Sequence, residues 1–363
     1  MIFIKDGNLY FQDGIEVPVE LTHIRESTPH PILSDDNQKV VFFRQDESDI
    51  NSINIDGSHV QTLITNRLLP EFLNQENAQA FVPGTHLLLF NTYECESQEA
   101  RPLCAIGLSR VDTDTGEIKK LVAPGKPGQY NYDGNFKVSP NGKMVSVVSS
   151  GHIDLISLDG KIISRNIMTY TPSMPIELFP AQGWQTDSNG LVMAIPASIH
   201  YGVAYAHPSF TVWRYSLDDK KAVQIPLDDV PPMYVMSGCG GTIDISPDGN
   251  WILYVHGTEQ ELPGYYLGNL RTGHTKPYGP LVCPGNPTWS PDSKQFIYAD
   301  KLGFIDKPPI QIDGIPMGWI DADHFMYLPQ FAAEELKFRV AEIHGEIILS
   351  YYLGPYLLLI KPK

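Results

Sequence analysis

Val138-Ser-Pro-Asn-Gly-Lys-Met144, Ile245-Ser-Pro-Asp-Gly-Asn-Trp251 and Trp289-Ser-Pro-Asp-Ser-Lys-Gln295 are three near-copies of one seven-residue phrase. Each joins a Ser-Pro step to a polar turn and then to an apolar run. Four weaker copies keep the outline: Leu33-Ser-Asp-Asp-Asn-Gln-Lys39, Phe81-Val-Pro-Gly-Thr-His86, Trp184-Gln-Thr-Asp-Ser-Asn-Gly190 and Trp319-Ile-Asp-Ala-Asp-His324. Aligned on positions 35, 83, 140, 186, 247, 291 and 321, the copies lie 48, 57, 46, 61, 44 and 30 residues apart. Most of these intervals fit a repeating four-stranded β unit of about 40 to 50 residues, with loop insertions stretching two of them.

The phrase has a physical reading. Proline lacks an N–H and is tolerated where a strand ends, and Asp-Gly or Asn-Gly supplies the positive φ of a tight turn. Each copy therefore reads as the hairpin between the first and second strands of a unit. The second strands are Lys39 to Phe43, Leu87 to Phe90, Met144 to Val148, Leu191 to Ile195, Trp251 to Val255, Phe296 to Tyr298 and Phe325 to Leu328. Their near-continuous apolar character predicts burial on both faces between neighbouring units. Third strands end in turns such as Asp56-Gly57, Thr115-Gly116, Asp159-Gly160 and Thr272-Gly273. More polar fourth strands follow, as at Gln61 to Ile64 and Glu117 to Leu121. Helical periodicity is absent apart from a possible turn at 332–336, so the chain is all-β. The expected architecture is a single β-propeller of four-stranded antiparallel blades over residues 1–363. Residues 8–14 and 16–22 read as outer strands of a blade without its own phrase, and 356–361 as a strand left over. Strands from both termini would then close the ring as a composite blade, giving eight blades; seven result if the last strand completes the seventh unit.

The Ser-Pro-Asp-Gly turn and its aromatic-rich following strand resemble the WD40-like repeat of TolB-type propellers. The same repeat builds the propeller domains of dipeptidyl peptidase IV and its relatives. The resemblance covers nearly the whole chain and implies a fold. It implies no activity, because such propellers serve both as peptidase gates and as interaction scaffolds.

Composition narrows the partners. The 26 basic and 42 acidic residues leave a net charge of −16, which repels phosphate and argues against nucleic acid and anionic membrane surfaces. No stretch approaches the roughly 20 apolar residues that span a bilayer. The N-terminus runs straight into strand-like sequence without a signal-peptide layout. The chain thus reads as a monomeric cytoplasmic protein, or as the mature form of an exported one with an added start Met. Four cysteines are too few for a disulfide scaffold. Cys95 and Cys104 flank one loop, and a disulfide there requires that the two positions face each other. Cys239 and Cys283 lie in Gly/Pro-rich connections and read as free thiols.

Catalytic signatures are missing. There is no Gly-X-Ser-X-Gly elbow, phosphate loop, His-Glu-X-X-His or Cys-X-X-Cys. Asp112-Thr-Asp114-Thr-Gly116 lacks the remaining spacing of a calcium loop and reads as a turn, as do Asp35-Asp36, Asp218-Asp219 and Asp228-Asp229. No cofactor is expected. Candidate function lies in the long connections, which gather on one side of the scaffold. Tyr130, Tyr132, Tyr170, Tyr201, Tyr205 and Tyr234 put amphipathic aromatics there, with Glu177, His200 and His207 among them. That mixture suits a polar-apolar ligand such as a carbohydrate or a peptide, or a protein partner; it also suits plain packing of the loops. The expected function is non-catalytic ligand or protein binding at the channel mouth. The alternative is an enzyme at the same place, a metal-dependent lyase or glycan-active hydrolase, with His200, His207 and Glu177 converging. His256 and His274 read as blade-surface residues, and Trp184, Trp289 and Trp319 as core.

Overall fold

The structure, a computed structural model, describes residues 2–5, 8–11, 18–23, 31–44, 49–65, 79–96, 103–125, 132–172, 180–196, 209–228, 243–256, 264–280, 287–319, 321–328, 339–344, 347–352 and 357–358. Among these residues there is no helix, and every pairing of known register is antiparallel. The chain opens with β1 (Ile2–Lys5), β2 (Asn8–Phe11) and β3 (Val19–Glu20). Seven groups of four then follow in sequence order.

The first is β4 (Ile32–Leu33), β5 (Lys39–Arg44), β6 (Asp49–Asn54) and β7 (Gln61–Ile64). The second is β8 (Gln79–Phe81), β9 (Leu87–Glu96), β10 (Leu103–Asp112) and β11 (Ile118–Val122). Next come β12 (Phe136–Val138), β13 (Met144–Ser149), β14 (His152–Ser157) and β15 (Ile162–Thr169). The fourth group is β16 (Ala181–Trp184), β17 (Gly190–Pro196), β18 (Phe210–Ser216) and β19 (Lys221–Ile225). The fifth is β20 (Ile243–Ile245), β21 (Trp251–His256), β22 (Gly264–Asn269) and β23 (Thr275–Pro280). The sixth is β24 (Thr288–Trp289), β25 (Gln295–Tyr298), β26 (Lys301–Phe304) and β27 (Ile310–Gln311). The seventh is β28 (Ile315–Trp319), β29 (His324–Leu328), β30 (Arg339–His344) and β31 (Ile347–Tyr352). The last strand, β32 (Leu357–Leu358), pairs with β1 through Phe3↔Leu358 and Ile4↔Leu357, completing a sheet in the order β3-β2-β1-β32.

All seven second strands fall where the repeat places them. β17 is buried along its whole length, and Val40, Leu88, Leu89, Val145, Ile252, Leu253, Phe296 and Phe325 are fully buried. The candidate helical turn at 332–336 lies outside the described residues.

The repeated turn owes its shape to a serine as much as to its Asp-Gly. Ser34, Ser139, Ser246 and Ser290 are all buried. Each side chain donates to the Asp or Asn two residues on, at 2.6 to 2.8 Å. Each hydroxyl also accepts the backbone N–H five residues on. The fourth residue of the turn takes positive φ: Asn37 at 57°, Gly142 at 66°, Gly249 at 68° and Ser293 at 64°. Glycine is needed at Gly142 for a second reason, since a Cβ there would lie 2.7 Å from the Pro83 carbonyl oxygen.

The chain divides into two compact units, one of residues 1–150, 155–163 and 317–363, the other of 151–154 and 164–316. In the first, the apolar core is layered between successive sheets. Ile2, Leu9, Phe11, Val40, Phe42 and Ile53 form one cluster. Val41, Ile50, Leu63, Leu88, Phe90 and Val111 form the next. In the second unit, Val192, Phe210, Ile252 and Tyr254 form one layer, and Leu253, Tyr265, Trp289, Phe296 and Tyr298 another. Trp184, Trp289 and Trp319 are buried, as the repeat implies. Tyr278 is a packing tyrosine as well: burial pushes its hydroxyl up to about 12, and that hydroxyl donates to the Phe304 carbonyl and accepts from the Phe304 N–H.

Candidate functional site

The two ends of these sheets differ. In six of the sheets with the repeated phrase, the first hairpin spans 34–38, 82–86, 139–143, 185–189, 246–250 or 290–294, always five residues; the seventh spans 320–323. Third-to-fourth strand turns open at the same end of each sheet and are equally short, as at 113–117, 158–161 and 217–220. At the other end, second-to-third connections range from 150–151 to 197–209. Connections to the next sheet reach 123–135, 170–180 and 226–242. A packed turn with a buried serine fixes length, whereas a connection free of that constraint can grow.

Of the candidate ligand residues, the described ones are Tyr132 and Tyr170. Tyr132 is 1% exposed. Its hydroxyl donates to Asn91 Oδ1 at 2.9 Å, and Asn91 Nδ2 donates to the Gly134 carbonyl at 2.8 Å. Asn91 is itself buried, so Tyr132 fastens the 123–135 connection to β9 from beneath. Tyr170 is half-buried just after β15, and its N–H donates to the Gly151 carbonyl at 2.9 Å. Tyr130, Glu177, His200, Tyr201, Tyr205, His207 and Tyr234 lie outside the described residues, as do Cys239 and Cys283.

The structure adds side chains at the same ends of the strands. His256 closes β21 and is buried, which corrects its placement on the blade surface. Its ring stands edge-on to Tyr266 with centroids 5.0 Å apart, and Tyr266, Tyr254 and Phe210 continue the aromatic row at 5.7 and 5.0 Å. Period-two spacing of Tyr254 and His256 on one strand was the available signal. On β14, His152 Nε2 lies 3.7 Å from Asp154 Oδ2. The Asp154 carboxylate is buried and accepts the Asn166 N–H at 2.7 Å, holding a positive-φ kink at Asn166. His274, by contrast, is exposed as expected and pairs with Asp228 at 3.2 Å.

The acidic turns behave as turns. Asp112 Oδ1 accepts the N–H groups of Asp114 and Thr115, and among the described residues no group of three or more His, Cys, Asp or Glu is placed to hold a metal ion. Asp36 and Asp114 do more than meet solvent. His86 Nε2 lies 2.9 Å from Asp36, and its Nδ1 lies 2.7 Å from Asp114. Lys39 Nζ meets the other Asp114 oxygen at 2.7 Å. This cluster lies at the short-turn end and ties hairpins of two successive sheets together.

By sequence, the chain matches no family model and no curated protein. By structure it is similar to dipeptidyl peptidase 4 from Porphyromonas gingivalis, at 12% identity and a TM-score of 0.56, over 89% of this chain and 52% of that one. A second similar structure is a eukaryotic initiation factor, at 11% identity and a TM-score of 0.52, over 98% of this chain and 96% of that one. A third is TolB from Acinetobacter baumannii, at 12% identity and a TM-score of 0.42, over 90% and 63%. The chain spans about half the length of the dipeptidyl peptidase. At such identities the likeness is one of fold, and it rests on the first two. Four-stranded antiparallel sheets built on a Ser-Pro-Asp-Gly repeat define the class: a β-propeller repeat protein of the kind the sequence resembles.

Proposed function

We propose that the chain is a non-catalytic binding propeller that takes a small molecule, a peptide or a protein segment at its loop-bearing end. In this reading residues 1–363 make one ring of eight blades, and the pairing of β1 with β32 joins the last blade from both termini. The eight four-stranded sheets of the described residues support the count. The observation that carries the function is the asymmetry of the connections. One end keeps turns of near-constant length, while the connections of the other vary freely, and it is to those connections that the sequence assigns the candidate tyrosines, His200 and His207. Tyr130, Tyr170, Glu177, His200, Tyr201, Tyr205, His207 and Tyr234 form the proposed ligand set, with Tyr132 positioning its loop from below.

The test is capture on a glycan array and a peptide array by the wild-type chain and by a Tyr201→Ala, Tyr205→Ala, Tyr234→Ala variant. The expected result is a bound class that the variant loses at least tenfold, with its melting temperature nearly unchanged. A matching collapse of stability would make these tyrosines packing residues and overturn the proposal. Cleavage of a captured ligand would overturn its non-catalytic half.

A further inference from the structure

Among the described residues, strands β9 and β10 are the longest, ten residues each, and all ten rungs pair in register. Their inner parts lie within a sheet, since β8 pairs with 88–90 and β11 with 108–111. The outer five rungs, Thr92↔Gly107 through Glu96↔Leu103, pair only with each other among the described residues. They form a two-stranded ribbon on the loop-bearing end of the sheet. The ribbon is anchored at its base, where Asn91 holds both Tyr132 and the Gly134 carbonyl.

Within this ribbon Cys104 is directly opposite Cys95. Directly opposed residues of an antiparallel pair share one face, with Cα atoms about 4.5 to 5.5 Å apart. A disulfide requires a Cα separation of about 4.4 to 6.8 Å, so either kind of rung accommodates the bond without moving the backbone. A one-residue slip of register would put the two on opposite faces. The sequence holds four cysteines, and the ladder brings two of them onto one rung. An isolated two-stranded ribbon is marginally stable in water, so its outer rungs are where a covalent link has most to hold.

We propose that Cys95 and Cys104 form a reversible cross-strand disulfide that clamps the outer half of the β9–β10 ribbon. The reaction is thiol–disulfide exchange with a low-molecular-weight disulfide such as glutathione disulfide. One cysteine thiolate attacks it, forming a mixed disulfide and releasing one glutathione thiolate. The second cysteine thiolate attacks the mixed disulfide, forming the Cys95–Cys104 bond and releasing the second. The two cysteines lose two electrons and two protons; glutathione disulfide gains both and leaves as two thiols. The inference stands whether or not this end of the molecule binds a ligand.

The test uses the intact chain, reduced and then equilibrated in glutathione buffers of graded ratio, with free thiols alkylated before digestion. Cleavage after Glu96 and Glu99 separates the two cysteines, so the link appears as two peptides held together and lighter by two hydrogens. The expected result is a cross-link that forms at a glutathione ratio at least tenfold more reducing in the folded chain than in urea. Amide exchange at 93–96 and 103–106 is expected to slow at least tenfold on oxidation. Separate glutathione adducts on each cysteine without the cross-link would overturn the proposal. So would equal midpoints for folded and unfolded chain, since the ladder would then not be holding the pair together.

Discussion

Lys39 Nζ and Asp114 Oδ1 meet at 2.7 Å although they belong to different sheets, and the lysine side chain is only 10% exposed. It also donates to the Thr113 carbonyl at 3.2 Å. The second Asp114 oxygen holds His86, which reaches on to Asp36. A histidine with a carboxylate on each ring nitrogen is best satisfied as the doubly protonated imidazolium.

This cluster makes stability depend on pH. Burial of His86 opposes its charged form, but the hydrogen bonds to Asp114 and Asp36 outweigh burial and raise its pKa above 6.5. Its contribution is therefore full below about pH 6.5 and lost as pH rises through the raised value. Burial likewise opposes the charged forms of Asp36 and Asp114. Hydrogen bonds from Ser34 and Gln38 to the first, and from Lys39 and His86 to the second, still hold both below 3.8. Their contribution is present above 3.8 and lost as pH falls through the lowered values. In urea unfolding the wild type is expected to lose stability as pH rises above 6.5, and the His86→Gln variant to lack that decline. Both carboxylates are about half exposed, so solvent screening limits the effect to about 0.5–1 kcal/mol. A pH slope unchanged in His86→Gln would remove the cluster from the account.

Gly142→Ala and Gly84→Ala separate two costs. Both glycines have positive φ, 66° and 68°, but a Cβ at Gly84 would meet nothing within 4 Å. Gly84→Ala should lose about 1–2 kcal/mol, the left-handed penalty alone. Gly142→Ala adds a backbone clash with Pro83 and should lose clearly more, about 3 kcal/mol or above. Equal losses in thermal unfolding would show that this hairpin gives way without resistance.

Ser246→Ala tests the buried serine of the repeated turn. The substitution strands the Trp251 N–H, bonded at 2.9 Å, while the Asn250 N–H keeps Asp248 Oδ1 at 3.0 Å. An unsatisfied buried donor costs about 1–3 kcal/mol. A variant within 0.5 kcal/mol of wild type, inside the ordinary range for surface changes, would mean that the turn rests on Asp248 and Gly249 alone.

Asn37→Gly should go the other way. Asn37 holds the positive-φ position that Gly142 and Gly249 occupy elsewhere, and its buried Oδ1 has no partner. Replacement by glycine is expected to raise stability by about 0.5–1 kcal/mol. A lower melting temperature would show that backbone freedom in the unfolded chain outweighs the strain.

Tyr132→Phe measures whether that tyrosine serves the fold or the ligand. Loss of its hydroxyl leaves Asn91 Oδ1 short of a donor in a buried position, at about 1–2 kcal/mol. The expected result is lower stability with array binding retained by the folded variant. Lost capture at unchanged stability would return Tyr132 to the ligand set.

Much of the scaffold was legible in the residues. The Ser-Pro-Asp-Gly phrase, the apolar run after it and the turn at Asp159-Gly160 all have short-range causes, and β13, β17 and β21 lie where those causes put them. The strand-like character of 8–14, 16–22 and 356–361 was legible too, and β2, β3 and β32 fall within those stretches. The site was less legible. Tyr132 and Tyr170 look alike in sequence, yet one is buried against Asn91 and the other sits at a strand end. His256 gave little sign that it would be buried beside Tyr266.

By itself, then, the chain's order of residues determined the repeat, the strands and the turns, since φ preference, alternation and side-chain capping act over a few neighbours. Tertiary structure alone decided that Cys104 opposes Cys95, that His86 stands between Asp36 and Asp114, and that Asn91 receives the Tyr132 hydroxyl. Those relationships depend on strand register and on how one sheet meets the next. Both are settled by burying apolar area along whole strands, and no short stretch of sequence records the outcome.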